Sequence, residues 1–156
     1  MRVATMAQPP DSEAIRKAAQ ARAGQLNLPY AGALLPVEAY ALMQNGARLV
    51  DIRTQAELYW VGKIPGSVLV EWNSYPGGAL NLDFLDQLSE QVGKDEPTMF
   101  ICRSGGRSHH AAMAATQAGF RECYNVLEGF EGDRDPQQHR SSVGGWRVAG
   151  LPWIQS

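Results

Sequence analysis

The chain has 156 residues, 44% of them hydrophobic and 19% charged, which is the balance of one globular domain with its own core and not of a disordered chain. Fourteen Lys and Arg against sixteen Asp and Glu leave a formal net charge of -2, without the basic excess of a nucleic-acid binder, although 11 of the 14 cations are Arg. No stretch approaches the roughly 18 apolar residues of a membrane span, no apolar secretory core opens the chain, and two cysteines outside any CxxC pair suit neither a disulfide scaffold nor structural zinc; the expectation is a cytoplasmic protein with no membrane or nucleic-acid partner.

The first ten residues read as a loose end. From Asp11 to about Gly24 the chain predicts a helix, capped by Asp11 or Ser12, with Ile15, Ala18, Ala19 and Ala23 as a modest apolar stripe. Asn27, Pro29, Gly32 and Pro36 then break the pattern. The domain division expected is therefore an N-terminal extension with one helix over 1–30 and a main domain over 31–156.

From there helix and strand patterns alternate. Val37 to Met43 predicts a short helix after Pro36, and Arg48 to Ile52 a strand. Gln55 to Val61 predicts a helical turn or two, and Ser67 to Trp72 a second strand. Phe84 to Val92 places Leu85, Leu88 and Val92 at helical spacing. Pro97 to Cys102 is a strand that ends in a thiol. Ser108 to Ala118 is an Ala-rich helix stopped by Gly119, and Cys123 to Leu127 is the last strand. Apolar strands separated by helices imply an α/β fold with a mainly parallel central sheet, flanked by helices on both faces.

The informative segment is Thr98 to Ala115. An apolar strand runs into Cys102, the turn Arg103-Ser104-Gly105-Gly106-Arg107 follows, and a helix opens near Ser108. In such sheets ligands bind at the carboxyl ends of strands. Glycine permits the positive φ that turns backbone N–H groups inward as an anion nest. The helix aims its positive end at the same point, and the guanidinium groups of Arg103 and Arg107 add fixed charge. A cysteine of ordinary acidity is only roughly 3% thiolate at neutral pH. All three effects favour the thiolate, which is the nucleophile.

C-R-S-G-G-R-S resembles the active-site loop of rhodanese-like sulfurtransferase domains. The resemblance extends from about Leu34 to Trp153. Leu49 to Leu58, with Asp51 and Arg53 at the D-x-R positions, is similar to the family's early strand and turn. Gly62 to Val70 resembles its G-H-I-P-G-A segment, Gly119 to Phe130 the strand after the active-site helix, and Gly144 to Trp153 its closing Trp and Gly-x-Pro element. Lys63 stands where the family usually has His, Phe130-Glu131 replaces a more typical Gly-Gly, and the polar connection from Glu131 to Ser142 is longer than usual.

The resemblance implies a single rhodanese-like domain that moves a sulfane sulfur, without metal or cofactor, from a small anionic donor such as thiosulfate to cyanide or a thiol. It assigns Cys102 as the persulfide-forming nucleophile, Arg103, Ser104, Gly105, Gly106, Arg107 and Ser108 to donor and persulfide binding, and Asp51 and Arg53 to pocket shaping or to a structural pair. A persulfide carrier or regulatory module serving a protein sulfur acceptor is the alternative. Phosphatase-like or arsenate-reducing chemistry is disfavoured, because four residues and not five separate Cys102 from Arg107. His109, His110 and His139 are assigned to packing or surface and Cys123 to the core. Trp72, just after a strand, is a candidate for the pocket mouth.

Overall fold

The computed structural model describes residues 11–155. Five strands, β1 (Gly32–Leu34), β2 (Arg48–Asp51), β3 (Val68–Leu69), β4 (Thr98–Ile101) and β5 (Cys123–Val126), form one sheet in the order β1-β5-β4-β2-β3. Every pairing is parallel. All carboxyl ends therefore share one edge, and β4 occupies the middle of it. Among the described residues five helices surround the sheet: α1 (Ser12–Leu26), α2 (Pro36–Gln44), α3 (Gln55–Trp60), α4 (Phe84–Gln91) and α5 (Gly106–Gln117).

Alternation along the strands divides the interior into two cores. Val50, Phe100 and Cys102 face α4 and α5, where they meet Phe84, Leu88, Ala111 and Ala115. Leu49, Met99, Ile101, Tyr124 and Val126 face the other way, against Ile15 and Ala19 of α1, Ala39 and Leu42 of α2, and Trp146. Strands covered on both faces are why their sequences read as continuous apolar runs.

The predicted N-terminal helix forms from Ser12 to Leu26, with the Asp11 side chain accepting the Glu13 N–H and Asn27 ending it at φ 56°. Its buried face is Ile15, Ala19 and Ala23. Gly32 of β1 admits this face: a Cβ there would sit 2.8 Å from Ala19. Arg16 to Glu122, at 2.5 and 2.6 Å, and Arg22 to Glu38, at 2.6 and 2.9 Å, fasten the helix to the domain.

Two local expectations change. β1 lies in a stretch read as breakers, since a three-residue strand containing Gly32 has no periodicity to detect. The strand expected over Ser67 to Trp72 is regular only at Val68–Leu69, although Val70 and Trp72 go on donating to Asp51 and Ile52 carbonyls at 3.2 and 3.0 Å. No helix among the described residues is long and apolar enough to cross a membrane.

Candidate active site

β4 delivers Cys102 to the centre of the carboxyl edge. The chain then turns through Gly105, the N-cap of α5, at φ +107°, which a side chain would resist. Helix α5 opens at Gly106, two residues earlier than expected, so the Ser108 N–H falls in the first turn, where backbone donors have no partner in the helix. That N–H and the N–H of Gly105 both donate to Cys102 Sγ, at 3.4 and 3.2 Å. The sulfur is buried within this cup, at 1% exposure of the residue.

A polar shell supports the cup. Asn125 Nδ2 donates to the Gly105 carbonyl at 3.2 Å, which orients its Oδ1 toward Ser108 Oγ, 2.5 Å away. Ser108 Oγ is also 3.2 Å from Sγ. With the hydroxyl proton on Asn125 the Ser108 oxygen accepts from a thiol, and by rotating it donates to an anionic sulfur. From the opposite side, Phe130 N–H donates to the Cys102 carbonyl at 2.8 Å and Glu131 N–H to the Arg103 carbonyl at 2.9 Å. Gly129, at φ +64°, makes this clamp possible, because a Cβ there would lie 2.5 Å from the Cys102 oxygen.

The two loop arginines differ. Arg107 forms a fork on Glu57, both contacts at 2.8 Å. Burial would raise the Glu57 carboxyl, but hydrogen bonds from Arg107 and the Thr54 backbone, with the Arg107 charge, outweigh it and hold the group at about 2. The fork in turn raises Arg107 above its usual value, against burial, with the charges of Glu57, Cys102 and Asp51 adding to the effect. Arg103 is exposed and makes no side-chain hydrogen bond or ion pair among the described residues.

An open cleft of about 630 Å³ lies above, walled by α3 (Glu57, Trp60), by Asn73 to Tyr75, and by Arg103, Arg107, Glu131 and Arg140. Cys102 is not among the residues that line it.

Asp51 and Arg53 sit beneath the edge, each fully buried, paired at 2.7 and 3.0 Å. Arg53 also donates to the Gly62 carbonyl at 2.8 Å and stacks 4.0 Å over Phe130. Their contacts tie the end of β2 to neighbouring loops, and neither lines the cleft. Trp72 packs edge-on against Phe84 and not at the mouth. His109 Nδ1 bonds Tyr30 Oη at 2.7 Å, and His139 lies in an exposed turn. Among the described residues no cluster of His, Cys, Asp or Glu could hold a metal ion.

Sequence reasoning missed Glu57, Asn125 and Arg140. Glu57 shows in sequence only as the end of a Thr-x-x-Glu capping box, and Asn125 as a polar residue inside a buried strand.

The model of the rhodanese-like domain matches residues 35–135. The chain belongs to this family. The rhodanese-like fold is shared with the crystal structure of Rv0390 from M. tuberculosis, at 41% identity and a TM-score of 0.75, covering 81% of this chain and 99% of that one. Among curated relatives, the uncharacterized protein RP600 of Rickettsia prowazekii is 35% identical over 72% of this chain and 86% of its own length. Thiosulfate sulfurtransferase GlpE of Pseudomonas paraeruginosa is 33% identical over 63% of this chain and 79% of its own. At the level of the family, this is a sulfurtransferase domain.

Proposed function

We propose that this rhodanese-like domain is a thiosulfate-type sulfurtransferase working through a persulfide on Cys102. The observation that carries the reading is the cup itself: two backbone N–H groups converge on Sγ at 3.2 and 3.4 Å where the central strand meets a helix. The relationship to GlpE supports the choice of donor.

In the first step the Cys102 thiolate attacks the outer sulfur of thiosulfate. A new S–S bond forms, the original S–S bond breaks with its electron pair, and sulfite leaves. In the second step cyanide or a thiolate takes the sulfane sulfur, giving thiocyanate or an organic persulfide and returning the Cys102 thiolate. The Gly105 and Ser108 amides and the Ser108 hydroxyl stabilise negative charge on sulfur in both states. Arg103, on the cleft wall, faces the incoming donor, and the Arg107–Glu57 fork holds the loop's far end. A phosphate-wrapping role is disfavoured because Glu57 already occupies the guanidinium it would need.

A covalent intermediate implies ping-pong kinetics. Wild-type protein exposed to thiosulfate gains the mass of one sulfur on Cys102 and loses it to cyanide; Cys102→Ser gains nothing and does not turn over. Substantial turnover by that variant refutes the reading.

Delivery to a thiol on a protein partner is a second reading, favoured by the aromatic rim of the cleft, where Trp60 is 66% and Tyr75 65% exposed. It expects sulfur transfer from the labelled protein to a protein thiol to be slowed by Trp60→Ala while transfer to cyanide is not.

A further inference from the structure

The resemblance assigns donor binding to both loop arginines, but the structure leaves one of them engaged elsewhere. Arg107 is neutralised by its fork on Glu57. The other cation on the cleft wall is Arg140, which belongs to the polar connection after β5 and not to the Cys102 loop. It is partly buried and spends Nη1 on the Gly132 carbonyl at 2.8 Å. Among the described residues it has no carboxylate partner.

The connection holds Arg140 in place. Asp135 accepts the N–H groups of Gln137 and His139, both at 2.9 Å, and the hydroxyl of Ser142 at 2.6 Å. On the other side Ser141 N–H donates to the Glu131 carbonyl at 2.7 Å. Arg147 Nη2 holds Ser141 Oγ at 2.6 Å. The residue before Arg140 and the residue after it are thus both anchored.

Charge on the wall makes the residue decisive. Arg103, Arg107 and Arg140 face Glu57 and Glu131 across the cleft, a net of one positive charge. With Arg107 and Glu57 cancelling, Arg103 and Arg140 stand against Glu131 alone and together supply the remaining positive charge.

We infer that Arg140 is a specificity-determining residue that, with Arg103, binds the charged end of a dianionic sulfur donor above Cys102. The inference rests on the reading of Cys102 as sulfur carrier. The guanidinium fork suits the oxyanion oxygens of thiosulfate, while its outer sulfur points down into the amide cup. The long connection from Glu131 to Ser142, a departure from the family pattern, thereby acquires a function.

The test is calorimetric titration of thiosulfate into Cys102→Ser protein, which binds without reacting. Adding Arg140→Gln weakens binding about tenfold or more, the value of a hydrogen bond to a charged group. Arg140→Lys weakens it less, because the charge stays and the fork goes. Arg134→Gln, the same charge change on the same connection but outside the cleft, shifts affinity less than about twofold. Circular dichroism and melting confirm that each variant folds; should Arg140→Gln fail to fold, the comparison of Arg140→Lys with Arg134→Gln decides. Equal weakening by the substitutions at 140 and 134, no weakening at 140, or no thiosulfate binding by the Cys102→Ser protein overturns the inference. The underlying reading is separated by mass: if wild-type protein acquires sulfur on Cys102 while Arg140 proves indifferent, the inference alone falls, and if Cys102 acquires none from thiosulfate, both do.

Discussion

Cys102 and Cys123 are each 1% exposed; Cys102 follows directly on β4, and Cys123 belongs to the adjoining strand β5. Cys102 stands one residue past the end of β4, at the carboxyl edge, and receives N–H groups from Gly105 and Ser108. Cys123 begins β5 at the opposite edge, where its sulfur faces the carbonyl of Phe120 at 3.8 Å. Burial pushes the Cys123 thiol up to about 11. Equal burial thus comes with different surroundings, because in a parallel sheet one edge offers helix N-termini and the other offers carbonyl oxygens. The register also keeps the two apart. Cys123 pairs with Thr98, four residues before Cys102, a rise of about 13 Å, which is beyond the roughly 7 Å that a disulfide tolerates between Cα atoms.

The sharpest way to break this contrast is exchange at each sulfur. Cys102→Ser removes detectable thiosulfate:cyanide transfer, and Cys123→Ser leaves it in place. A loss of transfer in both would make Cys123 a participant.

A smaller but still large effect is expected from the clamp that shapes the cup. Gly129→Ala forces a left-handed φ on alanine and drives a Cβ into the Cys102 carbonyl. A displacement of about 1 Å in a reacting group costs roughly 100-fold, so kcat/KM falls on that order. Unchanged kinetics would mean that the loop adapts freely.

Acid titration sharpens the comparison at the cup's rim. Glu57 has a folded value of about 2 against 4.5 in its unperturbed state, so its contribution is fully present above 4.5 and is lost as pH falls toward 2. In Glu57→Gln this segment of the acid-unfolding curve disappears, and the freed Arg107 loses its orientation. Superimposable acid transitions for wild type and variant would contradict the fork.

The smallest effects belong to the inert cysteine. Its pKa is raised from 9.0 to about 11, so its contribution to stability is full below pH 9 and fades as pH rises toward 11. In native Cys102→Ser protein, iodoacetamide therefore leaves Cys123 unlabelled at neutral pH. Cys123→Ala costs about 1 kcal/mol, as for removal of one buried methylene, measured by denaturant unfolding. Rapid labelling of the folded protein would place Cys123 outside the core.

Much of this was legible in the chain. The strand, the thiol, the glycine turn and the Ala-rich helix are contiguous from Thr98 to Ala115, so hydrophobic periodicity and local turn chemistry suffice to place them. The same local logic found the capped N-terminal helix and its buried stripe of Ile15, Ala19 and Ala23. It failed at β1, where three residues carry too little pattern. It also gave no sign that Arg107 pairs with Glu57, 50 positions upstream.

The sequence by itself therefore determined the alternation of helices and strands and the place of Cys102 between a buried strand and a helix, because both depend on interactions between chain neighbours. Only the tertiary structure decided which guanidinium stays open to a ligand, which asparagine steadies the cup, and that Arg140 reaches the cleft. Those pairings depend on the spatial order of strands and on loop closure, and side chains that meet across 17 or 50 residues leave no period in the chain between them.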